Sequence, residues 1–315
     1  MKKGFLCLFL ILILSSCNSD LVPVEGIGPV GTASYPIING TPVTASDYDY
    51  VVGLHRVTKK YGGGVYVLPF CTGTLITPSV VLTAAHCLDK SEDFAPVEPL
   101  KASELNVYFG NSPGSTGEDG SYDVSNGAES VEEVLIHSDY DKFNLTNDIG
   151  LIRLRGTAPV LPTAALSEPD GFTPVDVGSL TLTLVGFGED ENGDYGVKLT
   201  ADVTLSGVSE TLIEHDHAPE GICFGDSGGP ALVSRDSGVY VGGVASYVTY
   251  PYCASSGAHT RVDAYSEWIN DFVNFTSEPP VDTCEDLLPL GELCFVDAEC
   301  CSGKCKGPTG RKSCK

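Results

Sequence analysis

Three short stretches concentrate side chains that can do covalent chemistry. "LTAAHC" delivers His86 beside Cys87, "NDIGLIRL" places an acid at Asp148, and "FGDSGGPAL" surrounds Ser227 with glycines. A hydroxyl becomes a nucleophile when a base takes its proton, and a third group can orient that base. Serine, histidine and aspartate are residue types for those three parts. The third stretch also raises a structural question. Gly225, Gly228 and Gly229 each weaken local structure, because glycine loses the most backbone freedom on folding. Something must require the backbone to turn, or to come close, at Ser227.

The elements that would position these groups are mostly strands. "VVLTAA", "LTLTLVGFG" and "VYVGGVAS" are β-branched runs set among Gly- and Pro-containing turns, which indicates an all-β chain of many strands over residues 37–275. That region ends in a helix, with Val262, Tyr265, Trp268, Ile269, Phe272 and Val273 at helical spacing. A length of 315 residues allows one large domain or two smaller ones. A formal net charge of −24 argues against a nucleic-acid partner, which needs a basic stripe.

Twelve cysteines with no CxxC pair exclude zinc-ribbon and thioredoxin-like motifs and favour an oxidising compartment. The start, "MKKGFLCLFLILILSSC", has two lysines, an apolar run and small residues, as a secretory signal over residues 1–16 does. Its end, "LSSC", resembles a bacterial lipobox, which implies cleavage before Cys17 and lipidation of its thiol. The expected location is extracytoplasmic, as a cell-envelope lipoprotein or a secreted protein, with membrane contact only through that anchor. Residues 17–36 are Gly/Pro/Ser-rich and read as a tether or propeptide, and 276–283 as a linker. Residues 284–315 hold six cysteines.

The three motifs, in the order His, Asp, Ser, resemble the chymotrypsin/trypsin-like serine proteases. "IING" at 37–40, "HSDY" at 137–140, "LVGFG" at 184–188 and "VASY" at 244–247 extend the resemblance over residues 37–275. It implies two antiparallel six-stranded β-barrels with a C-terminal helix, and hydrolysis of protein or peptide substrates without a cofactor or metal. Ser227 would attack the scissile carbonyl, His86 would move the proton, and Asp148 would hold the imidazole. The N–H groups of Gly225 and Ser227 would form the oxyanion hole. Asp226 would pair with a new α-amino group at Ile37, freed by an activating protease that cuts after Pro36. The resemblance also implies bridges Cys71–Cys87 and Cys223–Cys253, and a monomer is expected.

The substrate pocket departs from trypsin. Gly221 stands at the floor position, so the buried acid that holds a Lys or Arg side chain is missing. Ser246, Val248 and Gly257 map to the walls, and Ile222 and Phe224 add apolar surface. An elastase-like preference for small or medium apolar residues follows. The remaining candidates have plainer readings. His55, His137 and His259 are structural or surface residues, and "EHDH" at 214–217 is a solvated loop rather than a metal site. "GEDGSYD" at 117–123, in the long loop 110–130, is a solvated acidic loop rather than a calcium site. The last six cysteines resemble an inhibitor cystine knot, which implies the pairs Cys284–Cys301, Cys294–Cys305 and Cys300–Cys314; the sequence alone allows fifteen connectivities. Two rival roles centre on this knot: docking on a polysaccharide or protein partner, or inhibition of the adjoining protease domain.

Overall fold

The β-branched runs fold as strands because Val, Ile and Thr pack well on a pleated surface. The computed structural model describes residues 37–44, 46–59, 65–112, 128–165, 171–188, 196–216, 220–248, 253, 256–274, 305–306 and 313–314. A two-residue strand, β1 (Thr41–Pro42), precedes β2 (Val51–Lys59), β3 (Val65–Thr77), β4 (Val80–Thr83), β5 (Leu105–Tyr108), β6 (Ala128–Ile136) and β7 (Gly150–Leu154). Strands β2 to β7 close into an antiparallel barrel in the order β2-β3-β4-β7-β6-β5. A short β8 (Ala164–Ala165) leads to β9 (Thr181–Gly186), β10 (Leu199–Val208), β11 (Leu212–His215), β12 (Pro230–Arg235), β13 (Gly238–Val248) and β14 (Gly257–Arg261). These six close in the order β9-β10-β11-β14-β13-β12 and back to β9. Closure leaves neither barrel with a free sheet edge. The expected pair of six-stranded antiparallel barrels is present.

Two short helices complete this region: α1 (Ala85–Leu88), directly after β4, and α2 (Ser266–Asn274) at the end. Helix α2 begins later than its apolar pattern, because Asp263–Tyr265 wind as a 3-10 turn first. Arg153 of β7 docks it, donating to the Phe272 carbonyl at 2.7 Å and lying 4.3 Å from that ring's centre. Strands β15 (Cys305–Lys306) and β16 (Ser313–Cys314) pair antiparallel, with Cys305 opposite Cys314. Residues 1–36 with Cys17, the loop 117–123, the linker, and Cys284, Cys294, Cys300 and Cys301 lie outside the described residues.

Strands β4 and β7 are buried along their whole length. The reason is that one apolar core runs from the first barrel through Val185, Phe187 and Val244 to Ile269 and Phe272 of α2. A second core fills the other barrel and includes Ile37, Leu184, Ile213 and Ile222. Lys198 is fully buried at the junction. Its ammonium donates to the Tyr48 carbonyl at 3.0 Å and lies 5.4 Å from the Phe187 ring centre. Burial pulls its pKa down to about 8, against the opposing charge of Asp49.

Candidate active site

Strand β4 delivers His86 into α1, and the Cys71–Cys87 disulfide ties that turn back to β3. Asp148 is set by a tight turn just before β7, in which Leu145 and Asn147 both take positive φ. Asn147 is held at both ends of its amide: its Oδ1 accepts from the Tyr265 hydroxyl at 2.7 Å, and its Nδ2 donates to the Asp139 carbonyl at 2.8 Å. The Asp148 side chain is fully buried and accepts three hydrogen bonds. His86 donates from its backbone N to Oδ1 at 2.9 Å, and its Nδ1 meets Oδ2 at 2.7 Å. The Ser246 hydroxyl donates to the same Oδ2 at 2.5 Å. Thr260 fixes the main chain beneath by donating to the Asp148 carbonyl at 2.9 Å.

Burial works to raise the Asp148 pKa, but the His86 charge and the three donors hold the carboxyl below its ordinary range. The partner moves the other way. Burial works to lower His86, and the Asp148 charge and hydrogen bond outweigh it, so the imidazole is raised. The His86 side chain keeps 26% of its surface exposed, and it lines a cavity of about 300 Å³ with Asp89, Tyr140, Leu145 and Ser246. With Nδ1–H given to the Asp148 carboxylate, the far nitrogen of the neutral ring keeps its lone pair and can accept a proton from a bound or neighbouring hydroxyl.

Ser227 opens on the neighbouring cavity, of about 260 Å³, and Ser246 lines both. No hydrogen bond joins His86 to Ser227 among the described residues; what the structure fixes is the loop that carries the serine. Its carbonyl accepts from Thr72 N at 2.8 Å, and the Thr72 hydroxyl donates to the Gly225 carbonyl at 2.9 Å. The glycines now have a reason. Gly228 takes φ +82°, and a Cβ there would lie 2.0 Å from Thr83 Oγ1 and 2.4 Å from the Thr72 carbonyl. Among the described residues the N–H groups of Gly225 and Ser227 donate to no protein acceptor.

Asp226 points the other way, into the second barrel. It is 1% exposed and accepts from Cys223 N at 2.9 Å and Gly188 N at 3.0 Å, with no cation beside it among the described residues. Burial drives its carboxyl well above the ordinary range, and the two N–H bonds offset that only in part. Ile37 is likewise fully buried in that barrel's core, and Ile38 N donates to the Gly221 carbonyl at 2.9 Å.

This arrangement supplies a hydroxyl and a buried imidazole–carboxylate pair on two cavities that share Ser246, with two N–H donors unused among the described residues. The family model described as Trypsin matches residues 37–269. The chain belongs to the trypsin family. It is 28% identical to serine protease SSP1 of Scolopendra subspinipes, over 86% of this chain and 93% of that protein. It is 27% identical to a trypsin of Phaedon cochleariae, over 75% of this chain and 87% of the relative. It is 31% identical to chymotrypsin-C of Bos taurus, over 64% of this chain and 76% of the relative. The protease is accordingly a chymotrypsin-like serine endopeptidase acting on proteins or peptides.

The pocket of this trypsin-family member differs in detail from its sequence reading. Ile222, Phe224, Ala245, Ser246, Tyr247 and Val248 line the cavity beside Ser227. Gly221 and Gly257 do not line it. Gly221 bridges to Ile38, and Gly257 pairs across strands with His215 and Val248. Cys223 lines the cavity as well, and its disulfide to Cys253 is formed. The sequence reading also missed that Ser246 serves Asp148 as well as the pocket. The "EHDH" stretch is corrected too. His215 lies on β11 and is fully buried, because the ring enters the space left by the missing side chain of Gly257. His259 and His55 are buried, and His137 packs against Tyr265 and Trp268.

Proposed function

We propose that the protease is an extracytoplasmic endopeptidase in which Ser227 attacks the scissile carbonyl. His86 takes the hydroxyl proton and passes it to the leaving amine. Asp148 fixes the imidazole tautomer and stabilises the imidazolium. The free N–H groups of Gly225 and Ser227 receive the developing oxyanion, and each such donor is worth roughly 3–4 kcal/mol of barrier. One observation carries this reading: a fully buried carboxylate bonded twice to His86, at 2.7 and 2.9 Å, beside the cavity onto which Ser227 opens.

The residue before the scissile bond is small or medium and apolar, of elastase-like kind. Ile222, Ala245 and Val248 support that preference, and among the described residues no charged side chain lines the cavity. Activation is by cleavage after Pro36, whose product amine at Ile37 pairs with Asp226. The buried, cation-free Asp226 carboxyl in the uncut chain is the support for this step. Cys17 carries the lipid anchor of the precursor.

A fluorophosphonate probe, which is attacked only by an activated serine, tests the triad directly. The matured protein is expected to label at Ser227, and both Ser227→Ala and His86→Ala to lose labelling while keeping the wild-type circular dichroism spectrum. Labelling of folded Ser227→Ala at the wild-type level would refute the assignment.

A further inference from the structure

Four ring nitrogens in the second barrel are left without a partner. His215 on β11 and His259 on β14 are fully buried, and their rings lie 5.2 Å apart. Neither nitrogen of either ring has a hydrogen-bond partner among the described residues. Buried polar atoms are normally satisfied, so two unsatisfied imidazoles side by side need a reason. Their position supplies one. His215 sits opposite Gly257. A Cβ on Gly257 would lie 2.5 Å from His215 Cε1, 2.9 Å from its Nε2, and 2.9 Å from Cδ1 of Ile222. The ring and the Ile222 tip therefore press on the same glycine, and Ile222 lines the cavity beside Ser227. His259 stands behind in turn, opposite Ala245, which lines the same cavity.

We propose that His215 sets the depth of the substrate pocket by holding Ile222 in place, and that it does so only while the His215–His259 pair is neutral. This deepens the apolar-pocket reading above and rests on it. A neutral pair is a filler of fixed shape. A protonated pair is a charge in a dry site, which must find water and so leaves the space behind Ile222. Burial pushes His215 from 6.5 down to about 4, against the opposing pull of Asp216, and His259 is pushed well down by burial and then by His215.

Among the described residues Asp216 is the one anion that acts on the pair, and burial outweighs its pull. On β11, the Glu214 carboxylate turns to Gly207 of β10. On β14, Arg261 is bound to Asp263, and on β13 the nearest titratable group is the uncharged Tyr247. In the serine loop, Asp226 is engaged by the N–H groups of Cys223 and Gly188. The folded pKa values lie below the unfolded one. The closed floor is thus fully favoured above pH 6.5 and loses ground as pH falls toward about 4.

The test is an internal competition between two peptides that differ only before the scissile bond, one with Val and one with Phe. Both depend equally on His86, so its protonation slows both and cancels in their ratio. The wild-type protease is expected to favour Val at pH 8, and to lose at least about threefold of that preference by pH 4.5. His215→Ala should shift the pH 8 ratio toward Phe by about tenfold, and His215→Phe should make the ratio independent of pH. A folded His215→Ala with the wild-type ratio overturns the proposal. So does a wild-type ratio that stays flat from pH 8 to 4.5, which decides the matter even if the variants fail to fold. A separate Arg and Lys pair of peptides distinguishes the two readings. Their preference over Val and Phe would overturn the apolar pocket and this proposal together, whereas an unmoved size ratio overturns only the proposal.

Discussion

Ser246 donates its hydroxyl hydrogen to Asp148 Oδ2 at 2.5 Å, across 98 positions of sequence and from the other barrel. The acid of the first barrel is thus completed by a residue of the second. Ser246→Ala removes one of three donors to a buried carboxylate and leaves its apolar surroundings unchanged. A lost hydrogen bond to a charged group is worth about 1.5–3 kcal/mol, so kcat/KM should fall roughly ten- to a hundredfold. Steady-state kinetics on the folded variant checks this, and unchanged kcat/KM would show that His86 alone suffices to hold Asp148.

The acid limb of the rate profile should lie above 6.5. The proposed mechanism needs neutral His86, and the Asp148 charge raises the imidazole above its ordinary value against the effect of burial. Activity is therefore present above the raised value and lost as pH falls through it. The stability sign is opposite: the contribution of the His86–Asp148 pair through His86 is full below 6.5 and is lost as pH rises through the folded value. Asp148→Asn should move the acid limb downward. A limb that stays in place in that variant would assign the titration to another group.

Cleavage after Pro36 should stabilise the protease, and only if Asp226 can ionise. In the uncut chain, burial raises this carboxyl, so its contribution disfavours the fold increasingly as pH climbs from 3.8 through the raised value. An amine at Ile37 reverses that. In a Ser227→Ala background, cutting should raise the melting temperature at pH 7 by roughly 3–10 °C, equivalent to about 1–3 kcal/mol. Asp226→Asn should abolish the gain. A gain of equal size in both chains would show that it comes from trimming the tether instead.

The same cut should free the protease from its membrane. Both described disulfides, Cys71–Cys87 and Cys223–Cys253, lie after Pro36. If Cys17 carries lipid, the precursor is expected in the membrane fraction and inactive, and the soluble form active and starting at Ile37. Fractionation with N-terminal sequencing and an activity assay decides this. An active membrane-bound form that still carries residues 18–36 would contradict it.

Much of this was legible in the sequence where the cause is local. Strands announce themselves through runs such as "LTLTLV", which forms most of β9, and the three site motifs each carry their own turn. What stayed hidden depends on neighbours across strands. Glu214, His215 and Asp216 read as a polar loop, yet alternation along β11 turns His215 inward to a space that Gly257, far along the chain, leaves open. Lys198 is polar and wholly buried because a carbonyl and an aromatic face from distant segments receive its ammonium. The floor role assigned to Gly221 likewise rested on position alone, whereas the described cavity is lined by its neighbour Ile222.

Thr72 belongs to β3 of the first barrel, yet it grips the loop of Ser227 in the second through two hydrogen bonds of 2.8 and 2.9 Å. On the proposed triad, neither half of the chain can assemble a working centre by itself. His86 and Asp148 come from one half, while Ser227 and Ser246 come from the other. The protease is therefore a coincidence device at the level of its gene. Severed in the segment between β7 and β9, it would yield two inert fragments whose reunion restores cleavage, so each could be attached to a different protein to report when the two come together.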